Sequence, residues 1–468
     1  MTTKERIIIP AKPLKDKVYS DLYNSEIFYH VAKDKVRWCK DLGGWFIFNG
    51  RYWEKDVNDN IRRVAIEAAH VIASNMQEIG APGLSNYRRI QGNNGLMGMV
   101  ECAKAFLGCN SNDFDSNENL FNCLNGTYDL AGDNFISFDS NHYLTKTGQV
   151  EYKLFEECPL WNKFLNEIFL EDKELIDYIQ RVIGYSMTAS TKEQCMFILY
   201  GHGRNGKSKF IETISHILGC YAINCPSSTF VLKQNPGIPN DVARLKGARF
   251  ASASETNHNV NLDEELIKQL TGNKTITARF LNKEYFEFNT TFKIFLATNH
   301  KPNIRGTDPG IWRRIQMIPF RLNISEDNED KNLGDKLLKE TSGILNWMIE
   351  GHKKWIKYGL NIPDVVRKAT QLYREEEDDL GQFIKQECVV DKLGMISSQE
   401  FRKRFENIMG YPKGSKALGE YMARHGFKPH DDNRYFINGK QQRAFVGLRW
   451  RDASDDSKEN KDITWKND

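Results

Sequence analysis

Between an apolar stretch, Cys195–Tyr200, and an amphipathic one, Lys207–Leu218, lies the octapeptide Gly201-His202-Gly203-Arg204-Asn205-Gly206-Lys207-Ser208. It follows the pattern G-x-x-x-x-G-K-S, and its flanks have the lengths of a strand and a helix. Its glycines let backbone N–H groups turn into one concavity, and the helix N-terminus adds positive potential there. Lys207 is placed to reach the β and γ phosphates of a nucleotide, and Ser208 to set its hydroxyl on Mg²⁺. Gly201, Gly203, Arg204, Asn205, Gly206, Lys207 and Ser208 are therefore the expected phosphate-binding residues, with ATP and Mg²⁺ as ligands. Such a loop belongs in an α/β domain with parallel strands, and strand-like and helical stretches do alternate from 193 to 320.

Hydrolysis asks for a carboxylate at the end of a nearby strand. Ala248–Ser254 reads as that strand, and Glu255 follows it about 47 residues beyond the loop. Ser254 stands where a second acid is usual, so Glu255 alone is expected to activate water and to help hold the metal. A third strand, Phe292–Thr298, ends in Asn299, an amide suited to orienting the attacking water. Arg313 and Arg314 then precede the apolar run Ile315–Phe320. In a ring ATPase this is where an arginine finger is offered to the neighbouring subunit's nucleotide. Arg314, directly before the strand, is preferred over Arg313.

Charge shows nothing until it is divided along the chain. Among 468 residues, 65 Lys and Arg stand against 62 acids, a net of +3. Yet residues 396–451 carry twelve basic and five acidic residues, and 452–468 three basic and six acidic. A basic C-terminal module with an acidic tail is the result. Nine scattered cysteines without metal spacing read as reduced thiols, although Cys220, Cys225 and His216 could form a zinc site. No apolar run is long enough for a membrane span or a signal segment, so a soluble, cytoplasmic protein without membrane contact is expected.

Turn and periodicity signals divide the chain further. Residues 1–20 form a flexible arm; 21–159 an α+β domain with turns at Asn49-Gly50 and Asn125-Gly126; 160–190 a helical collar; 191–330 the ATPase. A helical segment over 331–389 follows. Residues 390–451 read as helix 399–409 capped by Ser398, helix 416–425 capped by Ser415, and a hairpin pairing 435–437 with 443–446, the order of a winged helix. Residues 452–468 form the tail.

With these motifs in place, the chain resembles a superfamily-three helicase of the phage, plasmid and poxvirus primase–helicase type. The resemblance also rests on Leu124–Leu130, His142–Lys146, Cys158–Trp161 and Ile183–Thr188, on Ile267–Asn273 with Thr277-Ala278-Arg279, and on Ala297–Pro302 and Ile311–Ile315. It implies an AAA+-like core that forms a homohexameric ring on single-stranded or forked DNA and moves 3′→5′ during replication of a mobile element. Only about 20 residues precede the associated domain, so a primase is not expected. The family's pore hairpin would carry Arg279, Asn282 and Lys283 at its tip, to grip phosphates without reading bases. Lys268 is either a nucleotide contact from the next subunit or a surface charge. A replication initiator that recognises origin DNA through the C-terminal module is the alternative, and a nucleotide switch without unwinding is a more distant one.

Overall fold

The computed structural model describes residues 20–77, 81–233, 240–254, 260–304, 308–325, 330–427, 435–437, 439–452 and 455. Four helices and a small sheet come first: α1 (Asp21–Ala32), β1 (Val36–Cys39), β2 (Gly44–Phe48), β3 (Trp53–Lys55), α2 (Ile61–Gln77), α3 (Ala81–Ile90), α4 (Asn93–Leu107) and β4 (Gly108–Cys109). The sheet order is β3-β2-β1-β4. The expected turn at Asn49-Gly50 is present with Gly50 at φ +93°, but Phe48 pairs with Trp53, so Arg51 and Tyr52 belong to the turn. Asn49 Oδ1 accepts from both of their N–H groups, which stabilises the longer loop.

This unit has its own core, in which Phe28, Ala32, Val36, Ala65, Ala68, Ile72, Met99 and Ala103 are buried together. The next strands, β5 (Leu120–Asn122), β6 (Thr127–Asp129) and β7 (Asn134–Ile136), do not share it. Phe121, Tyr128 and Leu130 instead pack with α5 (Pro159–Ile168), α6 (Lys173–Ser186) and the central sheet. The stretch expected to be one α+β domain over 21–159 is therefore divided among three cores, the third a small one of Cys39, Phe46, Trp53 and Phe114.

The centre of the molecule is β8 (Met196–Tyr200), α7 (Lys207–Leu218), β9 (Ala222–Pro226), α8 (Asn240–Ala243), β10 (Phe250–Ser254), α9 (Glu264–Gly272), the hairpin β11 (Thr275–Ala278) and β12 (Phe286–Asn289), β13 (Lys293–Thr298), α10 (Pro309–Trp312) and β14 (Ile315–Pro319). Five strands form one parallel sheet in the order β14-β8-β13-β10-β9. Both faces are covered, which is why β8 and β13 read as continuous apolar runs. Phe197 and Phe295 face the α5, α6 and α7 side, while Met196, Ile198 and Leu296 face α9 and the hairpin. The fold is thus mixed α/β around a parallel sheet.

Then come α11 (Leu333–Leu337), α12 (Thr341–Tyr358), α13 (Asp364–Glu377), α14 (Asp379–Glu387), β15 (Cys388–Ser397), α15 (Ser398–Met409), α16 (Ser415–Arg424), β16 (Tyr435–Ile437), β17 (Lys440–Gln442) and β18 (Ala444–Trp450). Helices α6 and α12 cross with their backbones nearly touching: a Cβ on Gly184 would lie 2.0 Å from His352 N, and one on Gly351 2.0 Å from Gln180 O. The C-terminal helices stand where expected, with Ser397 and Gly414 at their caps in place of Ser398 and Ser415. The strand pairing differs. β16 pairs with β17, while β18 pairs with β15, a strand the sequence reading did not assign and of which only Cys388 and Val389 fall in the expected helical segment. Leu380, Phe383 and Ile384 join the C-terminal core, so α14 belongs with that module.

Candidate nucleotide site

Strand β8 delivers the glycine-rich loop and α7 removes it from the sheet. Tyr200 lies beside Thr298 in register, and Gly201 N donates to Thr298 O over 3.4 Å, so the loop starts against the end of β13. Gly206, before the helix, has φ +83°, a conformation a side chain resists. Space excludes one as well: a Cβ there would lie 2.5 Å from Ile168 Cγ2. Arg204 is also left-handed, at φ +57°, and its carbonyl accepts from Ile324 N at 2.8 Å. The loop is thereby held between α5 on one side and the segment after β14 on the other.

Lys207 is the first residue of α7 and is buried. Its ammonium donates to Gly201 O at 2.5 Å, Asn205 Oδ1 at 3.0 Å and Asn299 Oδ1 at 3.0 Å. All three acceptors are neutral. Burial pushes this lysine down from 10.5 to about 8. A buried cation whose acceptors among the described residues are neutral oxygens is a good anion receptor. Asn205 is itself fixed by donating to His202 O and, at 3.4 Å, to Phe320 O. The structure thus brings Lys207, Asn205 and Asn299 together although Asn299 is 92 positions away.

These groups open on a cleft of about 870 Å³. Gly203 to Lys209 form its floor, Ser254 and Asn299 one end, and the α5 residues Leu160, Lys163 and Glu167 a wall. Ser208 is exposed to the cleft. The volume is of the size that small-molecule sites have. Sequence reading missed the α5 wall, whose only signal is spacing: Leu160, Phe164 and Glu167 fall on one helical face. Glu255 lies outside the described residues; Ser254, just before it, pairs with Ala297 at the end of β13. Among the described residues no cluster of three His, Cys, Asp or Glu groups is suited to a metal. Lys207, whose acceptors among the described residues are all neutral, is suited to an anion such as a polyphosphate.

The two arginines separate. Arg314, the expected finger, turns inward and is 8% exposed. Its Nε donates to Thr271 Oγ1 at 3.0 Å and its Nη1 to Gly310 O at 2.5 Å. Arg313 is exposed, with one long bond of 3.4 Å to Gln194 Oε1. The side-chain placement therefore favours Arg313 over Arg314 for reaching another subunit. Lys268 pairs with Asp308 at 2.5 Å within the chain. At the hairpin tip, Lys283 is exposed and Asn282 takes φ +59°. Arg279 is half-buried, its guanidinium 4.6 Å from the centre of the Tyr285 ring. Phe280 stacks on Phe286 at 5.5 Å, so it serves the hairpin's own packing while staying partly exposed.

Residues 25–170 match the family described as D5 N terminal like, and residues 199–314 match a Family of unknown function (DUF5906). A protein of Acanthamoeba polyphaga mimivirus, named as a putative helicase, is 29% identical over 301 residues, which are 58% of this chain and 31% of that protein. One of Invertebrate iridescent virus 6 with the same kind of name is 27% identical over 274 residues, 54% of this chain and 28% of the other. An African swine fever virus protein named as a putative primase is 25% identical over 302 residues, 59% and 31% of the two chains. The matched segments thus span less than a third of these relatives. The apo structure of the NrS-1 C-terminal region superposes with a TM-score of 0.54 at 12% identity, covering 92% of this chain and all of that one. That likeness is one of fold. The sequence matches support a helicase–primase family of the D5-like kind.

Proposed function

We propose that this chain is an ATP-driven DNA helicase motor for the replication of a mobile element. The observation that carries the reading is the buried Lys207 ammonium, set at a helix start among neutral oxygens on the floor of a nucleotide-sized cleft. Among the described residues its hydrogen-bond partners carry no charge, which suits it to a polyphosphate. Lys207 would hold the β and γ phosphates, Asn299 would orient water from the end of β13, and Glu255 would draw its proton. Mg²⁺, held by Ser208 and Glu255, would neutralise charge on the phosphate oxygens.

In this reading the core is AAA+-like, works as a homohexamer and moves 3′→5′ on single-stranded or forked DNA. Arg313 completes the neighbour's site. Arg279, Asn282 and Lys283 face the strand threaded through the ring. The relatives named as helicases support unwinding, and the resemblance to superfamily-three proteins supports the ring. The C-terminal module would serve as a winged helix: Arg402, Lys403, Lys416 and Arg424 lie on α15 and α16, which favours a second, duplex-binding role at an origin.

The test is ATP turnover with and without single-stranded DNA. Lys207→Ala should lose both nucleotide binding and turnover. Glu255→Gln should bind ATP and trap it, because the phosphate cradle survives while water activation is lost. Unchanged hydrolysis in either variant contradicts the assignment.

A further inference from the structure

We propose that Arg314 is a positioning residue that ties the base of the β11–β12 hairpin to α10, so that DNA held at the hairpin sets how Arg313 is presented to the next subunit. This rests on the helicase reading above and names the route from DNA to the shared nucleotide site. The tie begins at α9. The Thr271 hydroxyl spends its one proton on Ile267 O at 2.6 Å, so only its lone pairs face the Arg314 Nε donor, at 3.0 Å. A Cβ on Gly272 would lie 2.8 Å from Arg314 Nη2, which puts the guanidinium against the last turn of α9, where helix carbonyls favour a cation. Just beyond that turn, Thr290 closes the hairpin base by donating its hydroxyl to Asn273 O at 2.6 Å and its N–H to Lys274 O at 2.9 Å. At its other end Arg314 bonds α10 through Gly310 O.

A second strap runs parallel to the first. Lys268 on α9 pairs with Asp308, whose other oxygen accepts from Gly310 N at 2.9 Å and so caps α10. The main chain of Arg314 accepts from Met196 N at 2.8 Å, fixing this end to β8, the strand that leads into the glycine-rich loop. Hairpin base, α9 and α10 therefore move as one piece, and the exposed Arg313 rides on it. Sequence neighbours have divided the work: one arginine is held inside and one is left outside.

Thr271→Val removes the acceptor with little change in volume, and Thr271→Ser returns it. The experiment measures ATP turnover by the full chain with and without an oligo(dT) strand. Thr271→Val should keep the wild-type KM for ATP and the basal rate, while stimulation by DNA falls about tenfold or more, the scale set by losing a hydrogen bond to a charged group. Thr271→Ser should restore stimulation. Wild-type stimulation in Thr271→Val overturns the proposal and leaves the helicase reading intact. A basal rate lost in Thr271→Val and not recovered in Thr271→Ser also overturns it, since packing alone would then explain Thr271. An unstimulated wild-type enzyme overturns both.

Discussion

Nucleotide affinity should fall with pH far earlier than an ordinary lysine would allow. Burial holds Lys207 near 8 instead of 10.5. Only the ammonium form attracts phosphate, so at pH 9 about a tenth of the sites are ready to bind. Between pH 7 and pH 9 the affinity for ATP should drop about tenfold, and at pH 9 binding should take up close to one proton. The sign for stability is opposite. The folded state releases this proton more readily than the unfolded chain, so the unliganded protein gains stability as pH rises from about 8 towards 10.5. Calorimetric titration with ATP at pH 7, 8 and 9, in two buffers of different ionisation enthalpy, measures affinity and proton uptake together. Lys207→Arg keeps its charge throughout this range and should remove the slope. A flat affinity between pH 7 and 9 in the wild type would refute the claim that burial desolvates Lys207.

Three further outcomes follow from the geometry. Arg313→Ala should bind ATP yet hydrolyse it roughly 10³- to 10⁵-fold more slowly, and mixing it with Lys207→Ala should recover turnover. No recovery in proven mixed rings argues against a shared site. Gly351→Ala drives a methyl into Gln180 O at the α6–α12 crossing and should lower stability by about 1–3 kcal/mol or more, read as a reduced Tm. Lys283→Ala should reduce the salt slope of single-strand binding by about 0.7 for each phosphate it leaves unneutralised, and should block unwinding while basal ATPase remains; unwinding at the parent rate would remove the hairpin from the DNA path.

What is legible in the sequence is local. The octapeptide fixes where β8 ends and α7 starts, because glycines and a lysine at that spacing fit little else. The hairpin from Thr275 to Asn289 shows alternation on both arms, and its strands pair Ile276 with Phe288 as alternation requires. The misses are matters of long-range packing. β15 holds Asp391, Lys392 and Gly394 in its middle and shifts register between Val390 and Met395, so it carries no clean strand pattern. Its partner β18 lies some fifty residues on, and no local signal reports that pairing. Phe121 and Tyr128 look like part of the first domain, but a chain leaving one core can seat its next strands on another. Arg314 illustrates the same point at the site. Standing before a strand does not say which of two arginines is buried; Thr271 and Gly272, over forty positions earlier, decide it by offering an acceptor and room. The sequence alone puts Asn299 at the end of its strand, whereas its bond to Lys207 depends on β8 and β13 being neighbours in the sheet.

The central claim, that ATP turnover drives the separation of DNA strands, is tested most directly by strand displacement on forked duplexes. The full chain with ATP and Mg²⁺ should release the labelled strand from a substrate with a 3′ loading tail, not from one with only a 5′ tail, and Lys207→Ala should release neither. ATP hydrolysis that ignores DNA, with both duplexes left intact, would contradict the account.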